Sequence, residues 1–112
     1  MLQPLKGQVR WAFLQQGRGS VQYGPRPVYI AGNNTGNKHS PVAIVIPMTS
    51  KKKKPMPTHV EIKAGNGLKL DSTILAEQIL TIDKSDLGNV ITQLPESEIQ
   101  LVDSAVRVSM GL

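Results

Sequence analysis

The chain of 112 residues contains no cysteine. Disulfide bonds, thiolate catalysis and cysteine-ligated zinc are therefore excluded, and a chain without cysteine suits the reducing cytoplasm. Histidine occurs only twice, at His39 and His59, and neither has a cluster of carboxylates at ligand spacing around it. A structural zinc site is not expected.

Long apolar runs are also missing. The longest one, residues 42–46, has the sequence VAIVI and is far too short to cross a bilayer. The hydrophobic fraction of 39% and the charged fraction of 19% are typical of a folded protein rather than a disordered tail. The length predicts one domain, residues 1–112, with a modest core.

Acidic residues are absent from the first 60 positions, which hold nine Lys or Arg, while all eight acids lie at Glu61 or later. The two segments carry formal charges of +9 and −4, which together give the net charge of +5. This asymmetry favours a polyanionic partner, nucleic acid first among them, bound by the N-terminal half. The alternative is a solvated basic loop, since four of the nine positive charges form the single lysine run 51–54.

Hydrophobic patterning predicts about five strands. Val9, Trp11 and Phe13 alternate with other residues, which is the period of a half-buried strand. Further strands are predicted at 27–31, where Pro27 can only begin the strand, at 42–46, buried on both faces, at 59–62 and at 72–82. Residues 33–37 are predicted to form a turn, and residues 15–25 and 51–58 exposed loops, the first of them long enough to be functional.

The C-terminal segment has a helical period instead. Ile99, Val102, Ala105, Val106 and Ser109 fall on one stripe, Pro95 suits the first turn and Gly111 the end. Residues 83–87 predict one helical turn capped by Asp83. The expected fold is mainly β (α+β), a small curled or barrel-like antiparallel sheet with a C-terminal helix.

Arg26 and the pair Thr49–Ser50 are candidates for phosphate chemistry. Arg26 lies between Pro25 and Pro27, which restrict the backbone on both sides, so its guanidinium could be presented to a phosphate at low entropic cost. Thr49 and Ser50 follow the apolar strand 42–46 and precede the lysine run, where hydroxyls can contact phosphate oxygens. Taken alone, the arginine can equally be solvated and the hydroxyls can equally serve a turn.

Glu77 and Gln78 form a third candidate, because a polar pair inside an apolar strand needs a partner. Either the pair forms hydrogen bonds within the fold, or one member faces a cleft.

Eight segments together resemble the MazF/PemK-type toxins in order and spacing, over residues 6–112. They are 19–28 (GSVQYGPRPV), 36–41 (GNKHSP), 49–50 (TS), 57–62 (PTHVEI), 71–72 (DS), 77–79 (EQI), 81–84 (TIDK) and 106–112 (VRVSMGL). The resemblance implies the CcdB/PemK type of fold and a cytoplasmic toxin of a bacterial toxin–antitoxin system. It also implies a homodimeric, metal- and cofactor-independent endoribonuclease that cuts single-stranded mRNA at short sequences and is neutralised by a cognate antitoxin.

Carried over by position, the resemblance assigns catalysis to Arg26, Thr49 and Gln78. Arg26 would stabilise charge on the phosphoryl oxygens and protonate the leaving 5′ oxygen, Thr49 would hold a non-bridging oxygen, and Gln78 would orient the scissile group. The nucleophile would be the RNA's own 2′-hydroxyl. The positions expected to bind RNA are Gly19, Ser20, Gln22, Asn33, Ser50, Lys51, Lys52 and Glu77.

The chain departs from that family mainly by losing acids. Val21 stands where relatives carry a loop glutamate, and Gln8 where they commonly carry an acid. If that glutamate is a proton acceptor, activity would fall or Glu77 would take its place, since general-base help is worth roughly 10²–10⁴ in rate. Two alternatives follow: a catalytically impaired relative that binds RNA or antitoxin, and a protein-targeting inhibitor like the gyrase poisons of the same architecture.

Overall fold

The computed structural model describes residues 3–15, 17, 19 and 21–112. These residues form seven strands, two helices and two 3₁₀ turns. The strands are β1 (Gln8–Leu14), β2 (Gly24–Ile30), β3 (Val42–Thr49), β4 (His59–Ile62), β5 (Ser72–Leu75), β6 (Leu80–Asp83) and β7 (Leu87–Gln93). The helices are α1 (Asn34–His39) and α2 (Glu96–Met110), and the 3₁₀ turns are Ala76–Gln78 and Lys84–Asp86.

The strands form one antiparallel sheet in the order β4-β5-β3-β2-β1-β7, and β6 also pairs with β3. β3 is the central element, because it pairs with β2 along one side and with both β5 and β6 along the other. The described sheet curls without closing, so β4 and β7 are its two ends. The predicted fold class, a mainly β antiparallel sheet with a C-terminal helix, is confirmed.

Both faces of the sheet carry a core, because neighbouring residues along a strand project to opposite sides. On one face Val9, Tyr29, Ile46 and Met48 belong to the core cluster that α2 covers through Val102 and Ala105. On the other face the curl of the sheet encloses a second cluster. It consists of Ala12, Leu14, Val28, Ile30, Ala43, Val45 and Leu87.

The predicted strand 72–82 is interrupted. Opposite β3, Met48 pairs with Ile74 whereas Val45 pairs with Leu80, so three steps along β3 correspond to six along its partner. The three extra residues fold into the 3₁₀ turn Ala76–Gln78. Glu77 and Gln78 therefore lie in a turn rather than inside a strand, and the prediction of a polar pair in an apolar strand was wrong.

Other local predictions also need correction. Asn33 caps the short helix α1, its Oδ1 accepting the Gly36 amide at 2.8 Å, so residues 33–37 are more than a turn. Pro27 lies inside β2, because pairing with β3 starts only at Val28 and the proline nitrogen costs no ladder bond there.

Ile44 is 44% exposed, so β3 is not buried on both faces throughout. β7 and the division of residues 72–82 raise the strand number from five to seven.

The C-terminal helix is confirmed at Glu96–Met110, preceded by Pro95 and ended by Gly111 in the left-handed conformation. The predicted stripe faces the core, with Val102 and Ala105 almost fully buried and Ile99 and Val106 packed beside them. The 3₁₀ turn Lys84–Asp86 follows Asp83 as predicted, but the Asp83 side chain forms no capping hydrogen bond. Within the described residues, no helix is both long and apolar enough for a bilayer.

Candidate functional site

An open cleft of about 480 Å³ lies where β2 and β3 meet the segment before β5. Arg26, Thr49 and Ser50 line it together with apolar residues and Lys69. No Asp, Glu or His is among the described residues that line it, and Arg26 and Lys69 are its two cationic ones. The cleft therefore suits an anion with an apolar part.

The strand register brings Arg26 and Thr49 into one cleft. The paired part of β2 and β3 ends at Val28 opposite Pro47, and Arg26 and Thr49, each two residues beyond one of these partners, both line the cleft. Antiparallel partners project to the same face, with Cβ atoms about 4.5–5.5 Å apart. On its other side Thr49 pairs directly with Thr73 of β5. Thr49 and Thr73 thus form a cross-strand pair, and Arg26 lines the first cleft together with Thr49.

Arg26 is held by its neighbours in the chain. Pro25 and Pro27 restrict its backbone, and its Nε donates to the Tyr23 carbonyl oxygen at 2.9 Å. A guanidinium has five N–H donors, and within the described residues the four on its two Nη atoms have no protein acceptor. The side chain is therefore fixed at Nε while the planar fork is available to a phosphate.

Thr49 ends β3 and is only 2% exposed. Its Oγ1 accepts the backbone amide of Lys51 at 3.2 Å, which fixes the turn into the lysine run. The hydroxyl hydrogen can still be donated, because a hydroxyl both donates and accepts. Little of this residue is accessible, so only a ligand seated deep in the cleft can reach it.

Gln78, the third predicted catalytic residue, does not line the cleft. Its Oε1 accepts the backbone amide of Gln22 at 2.9 Å, which ties the loop before β2 to the 3₁₀ turn Ala76–Gln78. In the same loop Val21 is 44% exposed. The structure therefore connects Gln78 to the loop that leads to Arg26, but not directly to the Arg26–Thr49 pair.

Glu77 faces away from the cleft. Glu77 Oε1 accepts the hydroxyl of Thr58 at 3.0 Å, and Glu77 Oε2 lies 3.1 Å from His59 Nε2. Burial raises the pKa of Glu77, but hydrogen bonds from its own backbone, His59 and Thr58 outweigh burial, so the pKa lies below its ordinary value. A carboxylate held in this way links β4 to the 3₁₀ turn and is badly placed to serve as a base in the cleft.

Glu77→Gln is expected to reduce the free energy of unfolding at neutral pH. Because the folded-state pKa is depressed, the carboxylate stabilises the fold above the unfolded value of about 4.3 and loses this effect as pH falls through the folded value. Urea unfolding at pH 7 and at pH 3 should show the difference from wild type shrinking at low pH. Glu61→Gln is the control, because Glu61 has no ion pair among the described residues; a pH-independent difference for Glu77→Gln would contradict this role.

A second cleft, of about 380 Å³, adjoins the first. Ser50, Lys51, Lys52 and Lys53 line it, and the ion pairs of the described residues include none of the lysines 51–54. The predicted loop at 51–58 is present, between β3 and β4. Its lysines are uncompensated positive charge beside the Arg26–Thr49 pair.

The remaining predicted RNA-binding positions are scattered. Asn33 lies beyond the other end of β2, next to α1, and does not line either cleft. Gly19 has a φ of +64° and lies in the loop before β2, with open space around its Cα. Ser20 lies outside the described residues.

Several residues that line the two clefts were not predicted from the sequence. Trp11, 48% exposed, and Lys69 line the first cleft, Thr73 the second and Ser72 both. The alternation at 9–13 predicted Trp11 on the buried side with Val9 and Phe13, which was wrong: register shifts against β7 follow Val9, and Trp11 and Phe13 are exposed. Ser72 and Thr73 carried no such signal, because their place beside Ser50 and Thr49 depends on the β3–β5 register.

Metal ligands do not cluster in the part of the chain that the structure describes. No group of three or more His, Cys, Asp or Glu side chains is placed to hold an ion there.

Solved structures of known proteins match this chain over almost its whole length. A mycobacterial endoribonuclease in complex with its cognate antitoxin is 26% identical, with 97% of this chain and 96% of that one covered and a TM-score of 0.81. The Mycobacterium tuberculosis toxin MazF-mt6 is also 26% identical, covering 94% and 97%, with a TM-score of 0.80. MazF from Deinococcus radiodurans, at 21% identity, full coverage of both chains and a TM-score of 0.85, shares the fold.

The family model of PemK-like, MazF-like toxins of type II toxin–antitoxin systems matches residues 5–110, which include every strand, both helices and both clefts. The chain therefore belongs to this toxin family.

Proposed function

We propose that this chain is a toxin that cleaves single-stranded mRNA, as a sequence-specific and metal-independent endoribonuclease. The observation that carries the proposal is the Arg26–Thr49 pair: a guanidinium held at Nε, with four donors that no described residue accepts, and a hydroxyl, both lining one cleft. The reaction class is supported by the similar mycobacterial structure that is named an endoribonuclease.

In the proposed reaction the 2′-hydroxyl of the substrate attacks the adjacent phosphorus. The new P–O2′ bond forms, the P–O5′ bond breaks, and the products are a 2′,3′-cyclic phosphate and a 5′-hydroxyl end. Arg26 stabilises the charge that develops on the phosphoryl oxygens, and Thr49 donates its hydroxyl to one of them. Gln78 acts through Gln22, by holding the loop that precedes Arg26.

Proton transfer is the weak part of this site. The proton of the 2′-hydroxyl passes to water, and water supplies the proton of the leaving oxygen, because the described residues lining the cleft include no carboxylate or imidazole. Arginine keeps its own protons at neutral pH. We therefore assign Arg26 charge stabilisation alone, and Glu77 a structural role.

The RNA strand is proposed to follow the positive charge from the cleft onto the lysine run. Ser50, Lys51 and Lys52 contact its phosphates, and Gly19, Ser20 and Gln22 lie in the loop that borders it. The similar mycobacterial structure contains a cognate antitoxin. For this chain we propose an antitoxin that lays an acidic, partly apolar segment across the same basic surface, in the cytoplasm.

We also propose a homodimer. Leu101 and Val108, 57% and 54% exposed, lie on one stripe of α2 beside the stripe that covers the core, and Leu112, 83% exposed, follows the helix. An exposed apolar stripe of this kind is typical of an interface. Sedimentation equilibrium should give twice the chain mass, and a monomer at micromolar concentration would contradict the dimer.

The test of the nuclease proposal is incubation of the pure protein with a long single-stranded transcript in EDTA. Discrete fragments with 5′-hydroxyl ends at a recurring short sequence are expected. Fragments that appear only after a divalent metal is added would contradict metal independence. RNA that is bound but never cut would instead support the impaired RNA-binding relative, for which the exposed Val21 in place of an acid is the specific observation.

A further inference from the structure

We propose that Thr73 and the lysine cleft form a second phosphate subsite, which binds the RNA backbone next to the scissile phosphate. The inference rests on the proposed function, because it takes the Arg26–Thr49 pair as the position of the cut. It adds a binding site of its own, made by residues of β5 and of the β3–β4 loop.

The first observation is the cross-strand pair. Thr49 at the end of β3 pairs with Thr73 on β5, so the two hydroxyl-bearing side chains are neighbours on one face of the sheet. Thr73 is 7% exposed, and no described residue forms a hydrogen bond with its hydroxyl. A hydroxyl beside Thr49 with no protein partner is suited to an oxygen of the phosphate that follows in the strand.

The second observation is that the two clefts adjoin. Ser50 and Ser72 line both of them, whereas Thr49 lines only the first and Thr73 only the second. The row of hydroxyls is therefore the boundary between the clefts. A single strand with one phosphate at Thr49 passes over this boundary into the second cleft.

The third observation is the charge in the second cleft. The charge of Lys63 is compensated there, because its Nζ lies 3.8 Å from Asp71 Oδ2. Asp71 Oδ1 accepts the Ala64 amide at 2.7 Å. Glu61, the cross-strand partner of Thr73 on β4, forms no ion pair among the described residues. With Lys51, Lys52 and Lys53 counted against it, the lining keeps a positive excess of two. The cleft is thus positive and lined by hydroxyls, a chemistry that recognises phosphate rather than a particular base.

The subsite is tested with two labelled RNAs that contain the same cut sequence, one minimal and one extended by several nucleotides on both sides. Thr73→Val should raise KM for the extended RNA about tenfold, with kcat unchanged, because a hydrogen bond to a charged group is lost. For the minimal RNA it should change neither constant. Thr73→Ser, which keeps the hydroxyl, should behave as wild type.

Lys52→Gln gives the electrostatic part of the same test. It should lower the slope of log affinity against log salt by about 0.7 for the extended RNA, the value for one phosphate contact on a single strand. Lys38→Gln on α1 is the matched control, since it removes the same charge at a position that lines neither cleft. Equal slopes for the two variants would overturn the subsite.

Binding of both RNAs by fluorescence anisotropy separates this inference from the nuclease proposal. If no RNA is cut, a loss of affinity by Thr73→Val that is confined to the extended RNA still supports the subsite. Equal effects on both lengths, or no effect on either, would overturn it. So would binding of an acidic polypeptide that Lys52→Gln weakens, under conditions where neither RNA binds, which would assign the lysine cleft to a protein partner.

Discussion

Arg26→Ala is expected to slow RNA cleavage by roughly 10²–10³-fold under single-turnover conditions, which is the usual cost of removing one donor to developing charge. Two cationic side chains are among the described residues that line the first cleft, Arg26 and Lys69. The Arg26 guanidinium is held by its Nε hydrogen bond, whereas the Lys69 side chain is exposed. Affinity for RNA should fall much less, because the lysines 51–54 keep their charge. Rates with saturating enzyme and anisotropy with a non-cleavable RNA measure the two effects separately.

Two variants bracket this result. Arg26→Lys keeps the charge but not the planar fork, so its rate should remain well below wild type. Arg107→Ala removes an exposed arginine in the last turn of α2, far from both clefts, and should leave the rate unchanged. Equal losses in Arg26→Ala and Arg107→Ala would contradict a catalytic role for Arg26.

Gly67→Ala should destabilise the fold by roughly 2 kcal/mol or more, through backbone strain together with a steric clash. Gly67 has a φ of +107°, and an added Cβ would lie 2.2 Å from the backbone oxygen of Ile91. Because the obstacle is the main chain of β7, no side-chain rotation relieves it. Chemical denaturation measures the loss, and cleavage should weaken as well, since both residues line the first cleft.

Gly65→Ala separates the two causes. Gly65 also has a positive φ, +139°, but an added Cβ would meet nothing within 4 Å, so only the strain remains. Gly36→Ala, inside α1 with no positive φ, should be neutral or slightly stabilising. If Gly67→Ala is as stable as Gly65→Ala, the segment before β5 can move away from Ile91, and the expected cost of the clash is contradicted.

The sequence predicted the parts of the fold that local chemistry decides. Alternation identified β1 and β4, and the apolar run at 42–46 identified the first five residues of β3. A stripe at helical spacing between Pro95 and Gly111 identified α2. The separation of charge identified the lysine loop as uncompensated.

The sequence could not predict features that depend on pairing between distant strands. The break at residues 76–78 exists because β5 and β6 pair with β3 in different registers, and nothing within residues 72–82 records that difference. α1 was missed because its Gly- and Asn-rich sequence is typical of a turn, while the Asn33 cap stabilises a short helix. Glu77 and Gln78 were wrongly predicted to lie in a strand because this break at residues 76–78 was not predicted.

The candidate site was predictable in its residue types but not in its arrangement. The two prolines around Arg26 and the hydroxyls before the lysine run singled out the right positions for the first cleft. That Arg26 and Thr49 line one cleft, and that Thr49 pairs with Thr73, depends on how β2, β3 and β5 are arranged. Trp11, Lys69 and Ser72 joined the site in the same way.

Cleavage of an RNA with one 2′-deoxynucleotide tests the central claim most directly. The substitution is placed immediately 5′ of a mapped cut, in an otherwise identical oligonucleotide, and both RNAs are incubated with the protein in EDTA. Binding should be equal and the deoxy-substituted bond should stay intact, because the attacking hydroxyl belongs to the substrate. Cleavage of that bond at the rate of the all-RNA substrate would contradict the assignment of the Arg26–Thr49 pair to this reaction.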